Sequence, residues 1–181
     1  MSKDLIINVN PQEVSIALLE DKQLMEIHNE KLDNNYSVGD LYLGKVKKIT
    51  PGLNAAFVDV GYEREAFLHY HDLGPRVRSL NKFVKIVNNS KKANLKLKDF
   101  KFEPEIVKTG KIQEVLSVNQ NILVQVAKEP ISSKGPRITT EIAFPGRYVV
   151  LVPFSNRVSV SQKIKDFEER NRLKRLVTSI R

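Results

Sequence analysis

Short apolar runs separated by turn-forming residues set the pattern at the start of the chain. DLIINV (4–9), EVSIALL (13–19) and QLMEIH (23–28) are each rich in β-branched or long aliphatic residues, and Asn10-Pro11 and Glu20-Asp21 divide them. That layout predicts three strands joined by tight turns. Three strands of about six residues bury too little surface to hold a core alone, so this meander is expected to pack on something else, a partner outside the chain included.

From Ser37 the pattern continues as three further strands, 41–49, 54–60 and 64–70, punctuated by Pro51-Gly52 and Gly61-Tyr62. A long basic stretch follows, and then IQEVLSV (112–118) and NILVQVAK (121–128) read as two more strands across Asn119-Gln120. Five short strands with a long interruption before the fourth form the layout of an OB-type barrel. Past Lys128, EPISSKGPR is a polar link. It leads to ITTEIAF and RYVVLVP, a predicted hairpin around Pro145-Gly146, and to a short run RVSVS. After Ser161, apolar residues at Ile164, Phe167, Leu173, Val177 and Ile180 fall at near-helical spacing, with acids early and bases late as the helix dipole favours. This last helix has no Gly or polar C-cap, which reads as a chain cut inside or at its end, with a natural end as the alternative. The fold class expected is mainly β (α+β): a meander, a five-stranded barrel, a β-hairpin and a C-terminal helix.

Period-two alternation sharpens the barrel. In its second strand Ala56, Val58 and Val60 share one face and Ala55, Phe57 and Asp59 the other; in its third, Ala66, Leu68 and Tyr70 oppose Phe67 and His69. The all-apolar sets belong inside, so two phenylalanines and a histidine are expected on the outer face of adjacent strands. Aromatics in that place form a base-stacking platform for nucleic acid. The competing reading has either ring covered by the basic stretch or by a neighbouring domain.

Composition adds the sign of the partner. The 181 residues hold 30 Lys+Arg and 21 Asp+Glu, a formal charge of +9 and a pI near 9.7, with 41% hydrophobic residues. So much apolar side chain excludes wholesale disorder, and the charge points to an anionic partner, nucleic acid before an acidic membrane surface. Residues 1–36 carry three Lys against seven Asp+Glu, net −4, and the remaining 145 carry 27 basic against 14 acidic residues, net +13. Residues 76–111 are the densest part, with eleven Lys+Arg and only Asp99, Glu103 and Glu105. Such a run reads either as a solvated loop or as an RNA-facing surface. The absence of cysteine removes disulfides and thiolate chemistry. The N-terminus lacks a signal-peptide h-region, and no apolar run reaches the roughly 18 residues that span a bilayer. A soluble cytoplasmic protein that avoids membranes is the expectation. His28, His69 and His71 are too scattered for a metal site, and no P-loop, GxGxxG or Ser/His/Asp pattern occurs.

GKVKKITPGLNAAFVDVGYEREAFL at 44–68 closely resembles the S1 RNA-binding domain of the ribonuclease E/G family, bacterial endoribonucleases that cut single-stranded RNA. The strands before it resemble the first piece of that family's RNase H-like subdomain, and SSKGPRITTEIAFPGRYVVLVP at 132–153 resembles the start of the region that senses an RNA 5′ monophosphate. The resemblance implies three parts: 1–36 from the RNase H-like subdomain, 37–128 as the S1 domain with a basic insertion at about 72–108 that is longer than the family expects, and 129–181 as the start of the sensor region. Carried over by position, Phe57 and Phe67 fall on the family's RNA-stacking phenylalanines, Lys134 on its RNA-contacting lysine, and Gly146 and Val150 on sensor residues. His69 is similar to the histidine of generic S1 domains. In the family, two aspartates of a later DNase I-like subdomain hold Mg²⁺, so the resemblance implies no catalytic residue, metal or cofactor in these 181 residues and Mg²⁺ only for the full-length enzyme. The expected function is single-stranded RNA binding by the non-catalytic N-terminal portion of an endoribonuclease acting in RNA decay and rRNA processing. The alternative is a protein-interaction or self-association module with no RNA affinity of its own, and a small intact nuclease is the third reading.

Overall fold

Local turn chemistry decides the first unit, Met1–Ser37. The computed structural model describes residues 2–31, 36–89, 100–146, 149–155 and 158–180. Strands β1 (Lys3–Val9), β2 (Glu13–Glu20) and β3 (Gln23–Lys31) form an antiparallel sheet in the order β1-β2-β3. Asn10 makes the first turn by accepting the Gln12 and Glu13 N–H groups on its side-chain oxygen, at 2.9 and 2.8 Å. Asp21 and Lys22 make the second with φ of 47° and 68°, the paired left-handed geometry that suits a two-residue hairpin. Leu5, Ile7 and Val9 on one face and Ile6, Leu24 and Ile27 on the other remain exposed, which is why three strands do not make a core.

The second unit, Val38–Arg181, is built on a closed barrel. Its strands are β4 (Leu41–Thr50), β5 (Ala55–Asp59), β6 (Ala66–His69), then, beyond helix α1 (Val77–Asn89), β7 (Asn121–Lys128) and β8 (Arg137–Thr139), closed in the order β4-β5-β6-β8-β7. Val46, Val58, Leu68, Ile122, Val124 and Ile138 fill the interior, each with no exposed surface. Alternation survives along β5 and β6, where Phe57, Asp59, Phe67 and His69 are only half-buried between buried neighbours. Ala55 departs from it: expected outside, it is fully buried where the Asn54 side chain ties the start of β5 to the Gly110 carbonyl and the Ile112 N–H.

Two expectations fail on strand identity. Residues 112–118 are not a strand: Ile112–Glu114 is a 3-10 turn, and Ile112 and Leu116 are buried together because the Leu116 N–H bonds the Ile112 carbonyl in a helical turn. The fifth strand is β8 instead. It pairs parallel to β6 and antiparallel to β7, and is only three residues long because Pro136 offers no N–H for a longer ladder. The predicted hairpin is correspondingly short, β9 (Phe144–Pro145) against β10 (Val150–Leu151), since residues 137–139 belong to the barrel. Buried Gln125 binds the two together, donating to the Gly39 and Ala143 carbonyls and accepting the Ala143 N–H at 2.9 Å.

Where it is described, the basic stretch is helix α1 followed by an irregular segment over 100–111. Val77, Leu80 and Val84 lie on the buried face of α1, which packs against β7. Phe83, Phe100, Phe102 and Phe154 meet edge to face, with Arg76 4.9 Å above Phe102 and Lys82 5.6 Å above Phe100. Arg76 and Lys82 also pair with Glu105 and Glu103 at 3.0 and 2.6 Å, so part of the local positive charge is compensated internally. Residues 90–99, which hold the Lys91-Lys92 pair, lie outside the described residues. The C-terminal helix is present as expected: α2 (Phe167–Ile180) begins at Asp166, whose side chain accepts the Glu168 N–H.

Candidate nucleic-acid interface

Register across the barrel assembles one row of outward side chains. Phe57 on β5 is the Cα partner of Phe67 on β6; beyond them Lys48 of β4 partners Phe57, Arg137 of β8 partners Phe67, and Lys128 of β7 partners Arg137. The order is therefore cation, aromatic, aromatic, cation, cation. Residues opposite one another in a ladder project to the same face, and the buried neighbours Val46, Val58, Leu68 and Ile138 fix that face as the outer one. Register shifts at Val46/Lys48 and at Val126/Lys128 insert one residue on each side of the row. Without the first, alternation would send Lys48 inward with Val46.

The two phenylalanine rings stand 5.7 Å apart at 67°, edge to face, leaving one ring's face and the other's edge for a ligand. Lys47, in the bulge, pairs with Asp59 at 3.2 Å. Asp59 also accepts the Gly61 N–H at 3.0 Å; that bond first, and Lys47 second, hold its carboxyl below the ordinary 3.8. A lowered carboxyl stabilises the folded chain above its ordinary pKa and loses that contribution as the pH falls through the folded value. An NMR titration is expected to place the Asp59 midpoint below that of a free aspartate, and a midpoint at or above 3.8 would contradict this electrostatic account.

His69 lies outward one position beyond Phe67 on its face, its Nδ1 accepting the His71 N–H at 3.1 Å and its ring 4.9 Å from that of His71. Arg137 grips Asp72 through two bonds of 2.9 Å, Nε to Oδ2 and Nη2 to Oδ1, and the carboxylate raises its pKa. Lys134 is exposed and closes the 131–134 turn by donating its N–H to the Ile131 carbonyl at 3.0 Å. The next residues, Gly135 and Pro136, run along the entry to β6, where the Phe67 N–H bonds the Pro136 carbonyl. Lys134 is thus delivered to the end of β6 that leads into Phe67. Gly146 and Val150 lie elsewhere, on the β9–β10 hairpin, with the Gly146 N–H on the Val149 carbonyl at 2.8 Å.

Phe57, Phe67 and His69 take the outer face that alternation predicts, and Lys134 lies in the exposed turn before β8; Lys48, Lys128 and Arg137 join the row without a mark in the sequence pattern. The bulge that turns Lys48 outward has no mark in the sequence, and Arg137 belongs to β8, which is too short to display a period.

Residues 35–130 match the S1 RNA binding domain, and residues 143–181 match the Ribonuclease E/G family. The chain is similar to Ribonuclease G of Haemophilus influenzae, 38% identical over 174 residues, which is 96% of the chain and 32% of that relative. Ribonuclease G of Escherichia coli (strain K12) is 36% identical over 98% of the chain and 32% of the relative. Ribonuclease E of Nostoc sp. is 37% identical over the whole chain and 22% of the relative. The chain spans about a third of the length of the ribonuclease G relatives it matches.

Proposed function

We propose that this chain, which belongs to the S1 RNA binding domain family over residues 35–130 and matches the Ribonuclease E/G family over residues 143–181, is the non-catalytic, single-stranded-RNA-binding N-terminal portion of a ribonuclease E/G-type endoribonuclease. The observation that carries this reading is the Phe57–Phe67 pair set between Lys48 on one side and Arg137 and Lys128 on the other. Bases laid on the rings find apolar faces, and the flanking lysines meet the phosphates between them. Duplex RNA hides its base faces in the stack, so the rings select unpaired strands. Lys134, at the approach to β6, supplies a further phosphate contact, and Gly146 and Val150 belong to the surface that meets the 5′ end.

In the whole protein Mg²⁺ supplies activation of the attacking water and charge stabilisation at the phosphate. Among the described residues no group of three or more His, Asp or Glu side chains is placed to hold a metal ion. We place the activity in cytoplasmic RNA decay and rRNA processing. No helix among the described residues is long and apolar enough to cross a membrane.

Fluorescence anisotropy of a labelled ten-nucleotide single strand tests the proposal. Three or four phosphate contacts give log K a slope against log salt of about −2 to −3 on single strands. The same sequence as a duplex is expected to bind more weakly. Self-association of the chain with no RNA affinity would give the protein-interaction reading instead, and metal-dependent cleavage of the probe by these 181 residues would overturn the non-catalytic assignment.

A further inference from the structure

Arg137 differs from the other cations of the row because its charge is already met. Both of its 2.9 Å bonds go to Asp72, with Nε and Nη2 on separate carboxylate oxygens, and this fork forces guanidinium and carboxylate toward one plane. The carboxylate is the more sheltered partner, 18% exposed against 44% for the arginine side chain. Asp72 is itself anchored through its backbone: its carbonyl accepts the Thr139 hydroxyl at 2.7 Å and the Thr140 N–H at 3.1 Å, both from β8 and its continuation. The arginine and the carboxylate that orients it are therefore tied to the same strand. Arg137 is also the Cα partner of Phe67, and Ile138 and Leu68 beside them are fully buried, so ring and guanidinium project outward from neighbouring strands about 5 Å apart.

We propose that the Arg137 guanidinium is a third base-stacking surface of the RNA face, continuing the line Phe57–Phe67 onto β8 with Asp72 holding its plane. This rests on the RNA-binding reading above and names the residue that extends it. A planar, delocalised cation stacks on a base as an aromatic ring does, and an ammonium does not. Neutralisation by Asp72 removes most of its pull on a phosphate and leaves the flat face as what it offers. Because the fork is already formed, stacking costs little additional side-chain ordering. The face then holds one more base than the two rings alone, and favours a purine there because the larger base overlaps more of the guanidinium.

The test compares labelled A10 and U10 single strands on the full chain, the Phe57→Ala variant, Arg137→Ala, Arg137→Lys and Asp72→Asn, at about 50 and 200 mM NaCl. Arg137→Ala and Arg137→Lys are both expected to weaken A10 binding about five- to tenfold, with a smaller loss on U10 and an unchanged salt slope. Asp72→Asn, which keeps the cation and frees its plane, is expected to weaken A10 binding at the higher salt. Thermal melts of each variant keep a folding defect from passing as a binding one, and Arg137→Lys retains the charge as a second check. Restoration of wild-type affinity by lysine, or a salt slope about one unit shallower in Arg137→Ala, would make Arg137 a phosphate contact and overturn the proposal. Equal affinity in every Arg137 variant would also overturn it while the Phe57→Ala loss left the RNA-binding reading standing. If the unaltered chain bound neither strand, both readings would fall together.

Discussion

Replacing Phe57 and Phe67 together by alanine is expected to weaken single-stranded RNA binding by roughly 30-fold to 10⁴-fold, since each base stacked on an aromatic contributes about 1–3 kcal/mol. The loss falls mainly on binding. Both rings lie on the outer face, half-buried, and the interior beneath them is Val58 and Leu68, which the substitutions do not touch. What folding loses is mainly the edge-to-face contact between rings 5.7 Å apart, about 0.5–1.5 kcal/mol. That same contact makes the two substitutions non-additive, because removing one ring lets the other tilt away from its stacking position. Anisotropy titrations of the two single variants and the double variant measure this directly. The second substitution should cost less than the first, and unchanged affinity in the double variant would remove stacking from the account.

Gly135→Ala is expected to cost about 3 kcal/mol of stability, a fall of roughly 6–12 °C in melting temperature. A Cβ at this position would run into the Glu65 carbonyl oxygen and lie 2.8 Å from that of Arg64. Both obstacles are backbone, so no rotamer change relieves them; the chain at 135–136 must move away from the entry to β6. That movement breaks the bond from the Phe67 N–H to the Pro136 carbonyl, and it displaces the residues on either side, Lys134 and Arg137. The same glycine therefore couples barrel closure to the RNA face, and the variant should lose affinity along with stability. A melting temperature equal to that of the unaltered chain would show that the strand entry has slack the structure does not display.

Period-two patterning made part of this molecule legible and hid the rest. In 55–60 and 66–70 the apolar and polar residues alternate cleanly, because one face meets a packed interior and the other does not, and that alone placed Phe57 and Phe67 outward. Strand β8 left no such signal: three residues after a proline cannot display a period, and its pairing with β6 joins positions about seventy residues apart. For 112–118 the apolar, β-branched content predicts a strand, whereas the Leu116 N–H bonds the Ile112 carbonyl in a helical turn, a separation of four that fits either period. In α1, Val77, Leu80 and Val84 fall at helical spacing within a stretch whose composition is dominated by lysine and arginine. The cations of the row were the least legible, because a bulge changes which face a residue takes without changing its neighbours in the chain.

Closure by β8 also sets how far this barrel is portable between proteins. The stretch recognisable as an S1 domain ends at residue 130, whereas the last strand of the barrel ends at Thr139. A segment exchanged by recombination at the earlier point would carry four strands and leave the ladder edges of β6 and β7 open, an invitation to pair with other chains. Exchange beyond Thr140, whose N–H and hydroxyl bond the Asp72 carbonyl and the Gly74 N–H, would carry the closed barrel with its cationic row whole. The inheritable unit is thus longer than the recognisable one, and its final strand sits in the sequence that leads directly into the next part of the protein.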